Sequence, residues 1–140
     1  MSILDEARAY RAAQDDMMRK ASADVPAEVA VMCTGAWPAW GERPWALNER
    51  CNYQGQSYRC VQAHDATDQP DWHPGAAASL WAVDHAKAAE YAKPYIQPLG
   101  AHDAYMAGEW CLWEDKPYKC VTDNTVHDPG TLPGSWEVAT

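Results

Sequence analysis

Four of the five cysteines stand in two pairs, Cys51 with Cys60 and Cys111 with Cys120, nine residues apart in each. Thiols spaced this way across a hairpin turn can bridge, pack as small hydrophobes or hold a metal. If Tyr53 lies opposite Tyr58 and Trp113 opposite Tyr118, each cysteine pair is directly opposed, with Cα atoms roughly 4.5 Å apart. That is the short end of what a disulfide accepts. Cross-strand bridges Cys51–Cys60 and Cys111–Cys120 are therefore expected, since small β units need staples. Reduced, buried thiols are the competing reading, favoured by cytosolic synthesis. Zinc fits poorly. His64 follows Cys60 at ligand spacing, but the second set has Asn124 in the corresponding place, so the ligands do not duplicate with the cysteines. Neither a metal nor any other cofactor is expected, and Cys33 has no partner in this scheme.

Catalytic constellations are thin. The neighbours His64-Asp65, His102-Asp103 and His127-Asp128 point to opposite faces of an extended chain. No serine or cysteine sits on a recognisable nucleophile elbow. Nothing among twenty acidic residues singles out a pair for glycoside hydrolysis. The chain is read as a non-enzyme.

Its rings are more telling. Eight Trp and seven Tyr occur with no Phe, and rings with a polar handle suit positions where one edge meets water and a face meets a partner. Trp81 and Trp136, each two residues before a valine, read as core, as do Tyr58 and Tyr118 beside the cysteines. Trp72, in the polar loop Asp71-Trp72-His73-Pro74, is either a lid on the core or a sugar platform. Trp110 falls on the hairpin face opposite the cysteines, a binding or contact position. His64 and Asn124 can each donate and accept hydrogen bonds at the end of a second strand.

These residues belong to a repeat. Tyr58-Arg59-Cys60-Val61 returns sixty residues later as Tyr118-Lys119-Cys120-Val121, with Cys51 on Cys111, Glu49 on Glu109, Tyr53 on Trp113 and Trp45 on Tyr105. A fixed period marks a duplicated unit. Each copy reads as a hairpin, with Gln54-Gly55-Gln56 turning the first and Asp115-Lys116 the second, followed by an irregular loop and a last short strand. Ahead of them, 3–22 reads as a helix without Gly or Pro. Ile3, Ala7, Tyr10, Gln14, Met17 and Ala21 recur at alternating spacings of four and three, a heptad seam. A helix this short is marginal alone, so its stripe is expected to dock on a module, on a larger assembly or on sister chains. The expected organisation is a helical head at 1–36, a first module at 37–83, a connector at 84–95 and a second module at 96–140. The fold class is mainly β with an N-terminal α-helix, each module an antiparallel hairpin of two to three strands.

The net charge of −9 is spread evenly: six acids against four bases in 1–36, seven against four in 37–90, and seven against three in 91–140. No basic stripe suits a phosphate backbone, so nucleic acid is not an expected partner. No apolar run reaches membrane-spanning length, so membrane insertion is not expected. The N-terminus lacks the basic and apolar regions of a secretory signal, and synthesis in a cytosol is expected.

Tyr58-Arg59-Cys60-Val61-Gln62-Ala63-His64, with Asp71-Trp72-His73-Pro74 and Leu80-Trp81 downstream, resembles the carbohydrate-binding modules of families five and twelve. In particular it is similar to the version carried by tail-associated proteins of phages and prophages. The second copy, from Pro98-Leu99-Gly100-Ala101-His102-Asp103-Ala104-Tyr105 to Gly134-Ser135-Trp136-Glu137, resembles the same group. The resemblance implies non-catalytic, chitin-binding-type modules in tandem, carried on a virion and contacting a bacterial cell-surface glycan. It also implies that the helix holds other tail proteins or sister chains. In chitin- and cellulose-binding relatives, one aromatic before the hairpin forms part of the platform, and Trp45 and Tyr105 match it. An aromatic pair after the second strand's cysteine position completes that platform, but here Gln62-Ala63 and Thr122-Asp123 stand instead. The departure points away from crystalline chitin or cellulose, toward a softer polymer such as a host cell wall. Structural decoration of a tail or baseplate, and service as the accessory module of a glycan hydrolase, are the alternative roles.

Overall fold

The computed structural model describes residues 2–139. It is mainly β with one long N-terminal helix and several small, mostly antiparallel sheets. The chain divides into two compact units. The first takes the residues up to Val25 together with Cys33–Trp81, the second Pro26–Met32 together with the chain from Ala82 on.

In the first unit, α1 (Ile3–Ser22) begins with a capping box: the Ser2 hydroxyl accepts from the Asp5 amide at 3.1 Å, and the Asp5 carboxylate accepts from the Ser2 amide. Acids in its first turn and Arg19 and Lys20 in its last complement the helix dipole. The heptad stripe does not dock within the unit: Ile3, Tyr10 and Met17 are all exposed. The helix is held by its polar last turn. Arg19 forks onto both Glu49 carboxylate oxygens at 2.8 and 2.9 Å and donates to the Pro44 carbonyl. The Ser22 hydroxyl accepts from the Arg50 amide at 2.9 Å.

The module proper has β1 (Pro44–Trp45) paired with β4 (His64–Asp65), and a hairpin of β2 (Arg50–Tyr53) and β3 (Gln56–Cys60). The strand order β2-β3-β5 completes a sheet in which Trp81, the first residue of β5 (Trp81–Val83), belongs to this unit. The second unit carries α2 (Ala27–Met32) and one four-stranded sheet, ordered β6 (Lys93–Pro94), β7 (Trp110–Trp113), β8 (Lys116–Cys120) and β9 (Trp136–Val138).

Both hairpins keep the sixty-residue offset, and both correct the expected register. Tyr53 pairs with Gln56 and Cys51 with Tyr58; Trp113 pairs with Lys116 and Cys111 with Tyr118. The turns are two-residue turns, with Gln54 and Gly55 at φ 52° and 78° and Glu114 and Asp115 at 51° and 63°. That left-handed pair matches the twist of the strands, so Gln56 and Lys116 already belong to the returning strands. Cys60 consequently pairs with Glu49, whose carbonyl accepts its amide at 2.8 Å, and Cys120 with Glu109 at 2.7 Å. Cys51 and Cys60 share a face but stand diagonally. Diagonal neighbours lie roughly 7–8 Å apart, beyond a disulfide's Cα reach. The expected bridges Cys51–Cys60 and Cys111–Cys120 are absent, and all five cysteines are free thiols.

Those sulfurs act as core atoms instead. Cys51, Cys60, Cys111 and Cys120 are fully buried. The Cys60 thiol donates to the Gln62 carbonyl and the Cys120 thiol to the Thr122 carbonyl, each at 3.1 Å. Desolvation raises the Cys60 thiol above its ordinary value, and desolvation with Cys120 nearby pushes Cys111 up to about 12.

Candidate functional site

The two units repeat one set of internal joints. Trp45 meets Trp81 edge-to-face at 5.2 Å and 79°, and Tyr105 meets Trp136 at 5.1 Å and 68°. The Trp81 indole donates to the carbonyl nine residues back, Trp72, at 2.9 Å; the Trp136 indole does the same to His127 at 3.0 Å. Glu49 accepts from the Ala46 amide and Glu109 from the Met106 amide, three residues before each.

This arrangement removes Trp45 and Tyr105 from the binding surface. Each is only 2% exposed, and each ring face is covered. The Arg43 guanidinium lies 3.6 Å over Trp45, and the His85 ring stacks on Tyr105 at 3.7 Å and 9°. Below each cap sits the repeated carboxylate: Arg43 lies 3.9 Å from Glu49, and His85 Nδ1 lies 3.0 Å from Glu109. Tyr95 stacks on Tyr105 at 5.4 Å, and burial pushes the Tyr105 phenol well above its usual range. A pyranose has no access to either ring, so the platform expected there is replaced by a capped core. Arg43 and His85 lie outside the repeated motifs, which is why sequence spacing did not reveal the caps.

Trp72 is the one tryptophan among the described residues whose side chain is exposed, at 37%. Its loop is built from successive turns: the Thr67 amide donates to Asp65 Oδ1, the Gln69 amide to the Ala66 carbonyl and the Trp72 amide to the Gln69 carbonyl. Ala66, fully buried, anchors the loop from beneath. His64 joins this ring to the core, edge-on to Trp72 at 6.1 Å and to Trp81 at 5.5 Å. Its Nδ1 lies 2.7 Å from the Gln62 carbonyl, which can only accept, so Nδ1 carries the proton. The structure thus brings His64 and Trp72 together.

A second group of rings was not foreseen as a site. His73, beside Trp72, stacks on Tyr53 at 5.0 Å and 22° and meets Trp40 edge-on at 5.8 Å. All three are half-buried, and the Trp40 indole N–H is buried without an acceptor among the described residues. The sequence signal was the placement of Tyr53 at the end of β2, on the face of Cys51 and next to the turn. The remaining candidates stand apart in the second unit. Trp110 is half-buried in β7, its amide donating to the Ala86 carbonyl. Asn124 is an exposed turn residue at φ 59° whose amide points to the Met106 sulfur. Thr125, not Asn124, exchanges backbone bonds with Tyr105 as the counterpart of the His64 pairing with Trp45.

An exposed indole, adjoining ring edges and a loop rich in hydrogen-bonding groups are the kinds of group sugars use, the C–H face of a pyranose packing on a ring while polar groups take its hydroxyls. Residues 45–82 match the family model of carbohydrate-binding module family 5/12. The match runs from the buried Trp45 through the hairpin and the Trp72 loop to the closing strand, and it supports a carbohydrate-binding module there. Such a module binds without catalysis. No curated protein matches the chain. Among the described residues no helix is long and apolar enough to cross a membrane, and no group of three or more His, Cys, Asp or Glu stands together as a metal site.

Proposed function

We propose that this chain is a non-catalytic glycan-binding accessory protein of a phage or prophage tail, contacting a bacterial surface polysaccharide through the Trp72 face of the first unit. The exposed Trp72 indole within a segment of carbohydrate-binding family character carries the reading. His64 holds that ring from one side, and the Trp40–His73–Tyr53 group extends the aromatic surface. The second unit repeats the internal joints and offers a related but chemically distinct surface, with His127 and Asp128 where the first has Trp72 and His73. Purified bacterial cell-wall polysaccharides titrated against intrinsic tryptophan fluorescence test the proposal. Quenching that disappears in Trp72→Ala supports it, and wild-type fluorescence and sedimentation unchanged by every polymer refute it.

The exposed α1 stripe favours a second, compatible role. A heptad seam presented to solvent on a helix pinned at its far end suits attachment to a tail protein or to sister chains. The glycan-binding unit would then be displayed from that anchor.

A further inference from the structure

We infer, resting on the glycan-binding reading above, that the polymer held at the Trp72 face carries free, protonated amino groups. The argument comes from where charge is available. Between Arg59 and Lys87 there is no lysine or arginine, while Asp65 at the end of β4 and Asp68 and Asp71 in the loop that leads to Trp72 are all exposed. The arginines that reach the module turn inward. Arg19 forks onto Glu49, Arg43 covers the Trp45 ring, Arg50 donates to the Ser22 carbonyl from a buried position, and Arg59 donates to the Asn48 side chain. A phosphate- or uronate-bearing polymer therefore meets a loop that carries exposed carboxylates and neither lysine nor arginine.

The carboxylates belong to the segment that carries the indole. Asp65 is fixed by the Thr67 amide and hydroxyl at 2.9 and 2.6 Å, which holds its carboxyl below the ordinary aspartate range and keeps it charged. Asp68 takes a left-handed conformation at φ 62° in the following turn. Asp71 directly precedes Trp72. An ammonium group on a sugar ring lying against an indole gains a cation–π contact and charge-assisted hydrogen bonds to nearby carboxylates. A neutral hydroxyl or acetamide can still donate to a carboxylate but gains neither the cation–π contact nor the ion pair.

The test compares three polymers on the intact chain: a β-1,4-linked glucosamine polymer with free amines, the same polymer after N-acetylation, and a polyuronate. Binding to the amine form is expected to be roughly tenfold tighter than to the acetylated form, and to fall to its level when salt shortens the Debye length to about 3 Å. Asp68→Asn and Asp71→Asn should each weaken amine-polymer binding by about two- to fivefold, as for an exposed ion pair. Because an acidic protein attracts any polycation, Asp115→Asn in the second unit's hairpin turn serves as the charge control. Equal loss in that control, or equal binding to the amine and acetylated forms, overturns the inference while leaving glycan binding intact. Preference for the polyuronate overturns it as well. Failure of all three polymers, with failure of cell-wall polysaccharides in the same assay, removes the glycan reading and this inference together.

Discussion

The indole N–H of Trp81 donates to the backbone carbonyl of Trp72 at 2.9 Å, so a buried ring fixes the loop that carries the exposed one. Trp81→Phe keeps most of the apolar bulk but leaves that carbonyl without its donor. The bond is part-buried, so its loss costs about 0.5–1.5 kcal/mol, and thermal unfolding should report a loss of that order in the first unit. Glycan affinity should fall as well, because the Trp72 loop loses its tie. Unchanged affinity in a destabilised Trp81→Phe protein would show that the loop is held by its turns alone.

Trp45 and Trp72 should behave in opposite ways. Trp72→Ala removes an exposed ring, so stability stays close to wild type. Affinity drops about three- to tenfold, the equivalent of an aromatic contact of roughly 0.5–1.5 kcal/mol. Trp45→Ala opens the core beneath Arg43 and should cost about 3–5 kcal/mol. Parallel calorimetry and fluorescence titration on the two variants separate the roles, and a folded Trp45→Ala protein with selectively weakened binding would restore Trp45 to the surface.

The four module cysteines should be slow to react. All four are buried away from thiol reagents, and burial also raises Cys60 and Cys111, which leaves them less of the thiolate such reagents capture. Mass spectrometry after brief alkylation of the native protein should find Cys33 labelled first, because it is the partly exposed one. The melting temperature should be the same with and without reductant. Recovery of a Cys51–Cys60 or Cys111–Cys120 peptide under non-reducing digestion would instead mean a different hairpin register.

Asp65 gives the Trp72 loop an acid-sensitive element. Its hydrogen bonds from Thr67 depress its folded-state pKa, so the unfolded chain binds the proton more readily. The associated stabilisation is present above the unfolded pKa and is lost as pH falls through the folded one. NMR titration should place the Asp65 carboxyl below an ordinary aspartate. Asp65→Asn should flatten the acid limb of loop ordering, and an Asp65 titrating at or above the ordinary value would contradict the turn geometry.

The helix divides into an anchor and a free stripe, which sets different outcomes for two truncations. Removing residues 1–14 keeps Arg19 on Glu49 and Ser22 on Arg50, so the first unit should melt as before. If the stripe joins sister chains, the mass seen by light scattering should fall with this truncation. Removing residues 1–23 leaves the Glu49 carboxylate without its two short ion-pair bonds. Arg19 is partly exposed, so solvent screens the pair and its loss costs about 1 kcal/mol; this longer deletion should destabilise the unit modestly.

Much of the architecture was legible because it rests on local signals. The helix at Ile3–Ser22, the hairpins repeating at sixty residues and the closing roles of Trp81 and Trp136 follow from propensity, period and patterning. The register was not legible. Gln54, Glu114 and Asp115 enter the left-handed region without glycine, and Asp115-Lys116 carries the stronger sequence signature of a turn. A shift of one residue pair then separated the cysteines. The caps on Trp45 and Tyr105 were equally hidden, since Arg43 and His85 reach them from unmatched positions in the repeat. Exposure depends on such contacts, and the same aromatic type serves as core at 45 and surface at 72.

Because the four buried sulfurs serve the fold as unbridged thiols in its core, neither module relies on an oxidant to become stable. A sequence whose integrity is indifferent to redox surroundings can mature inside a reducing cell and keep its shape once outside it, with no chemical maturation step between the two.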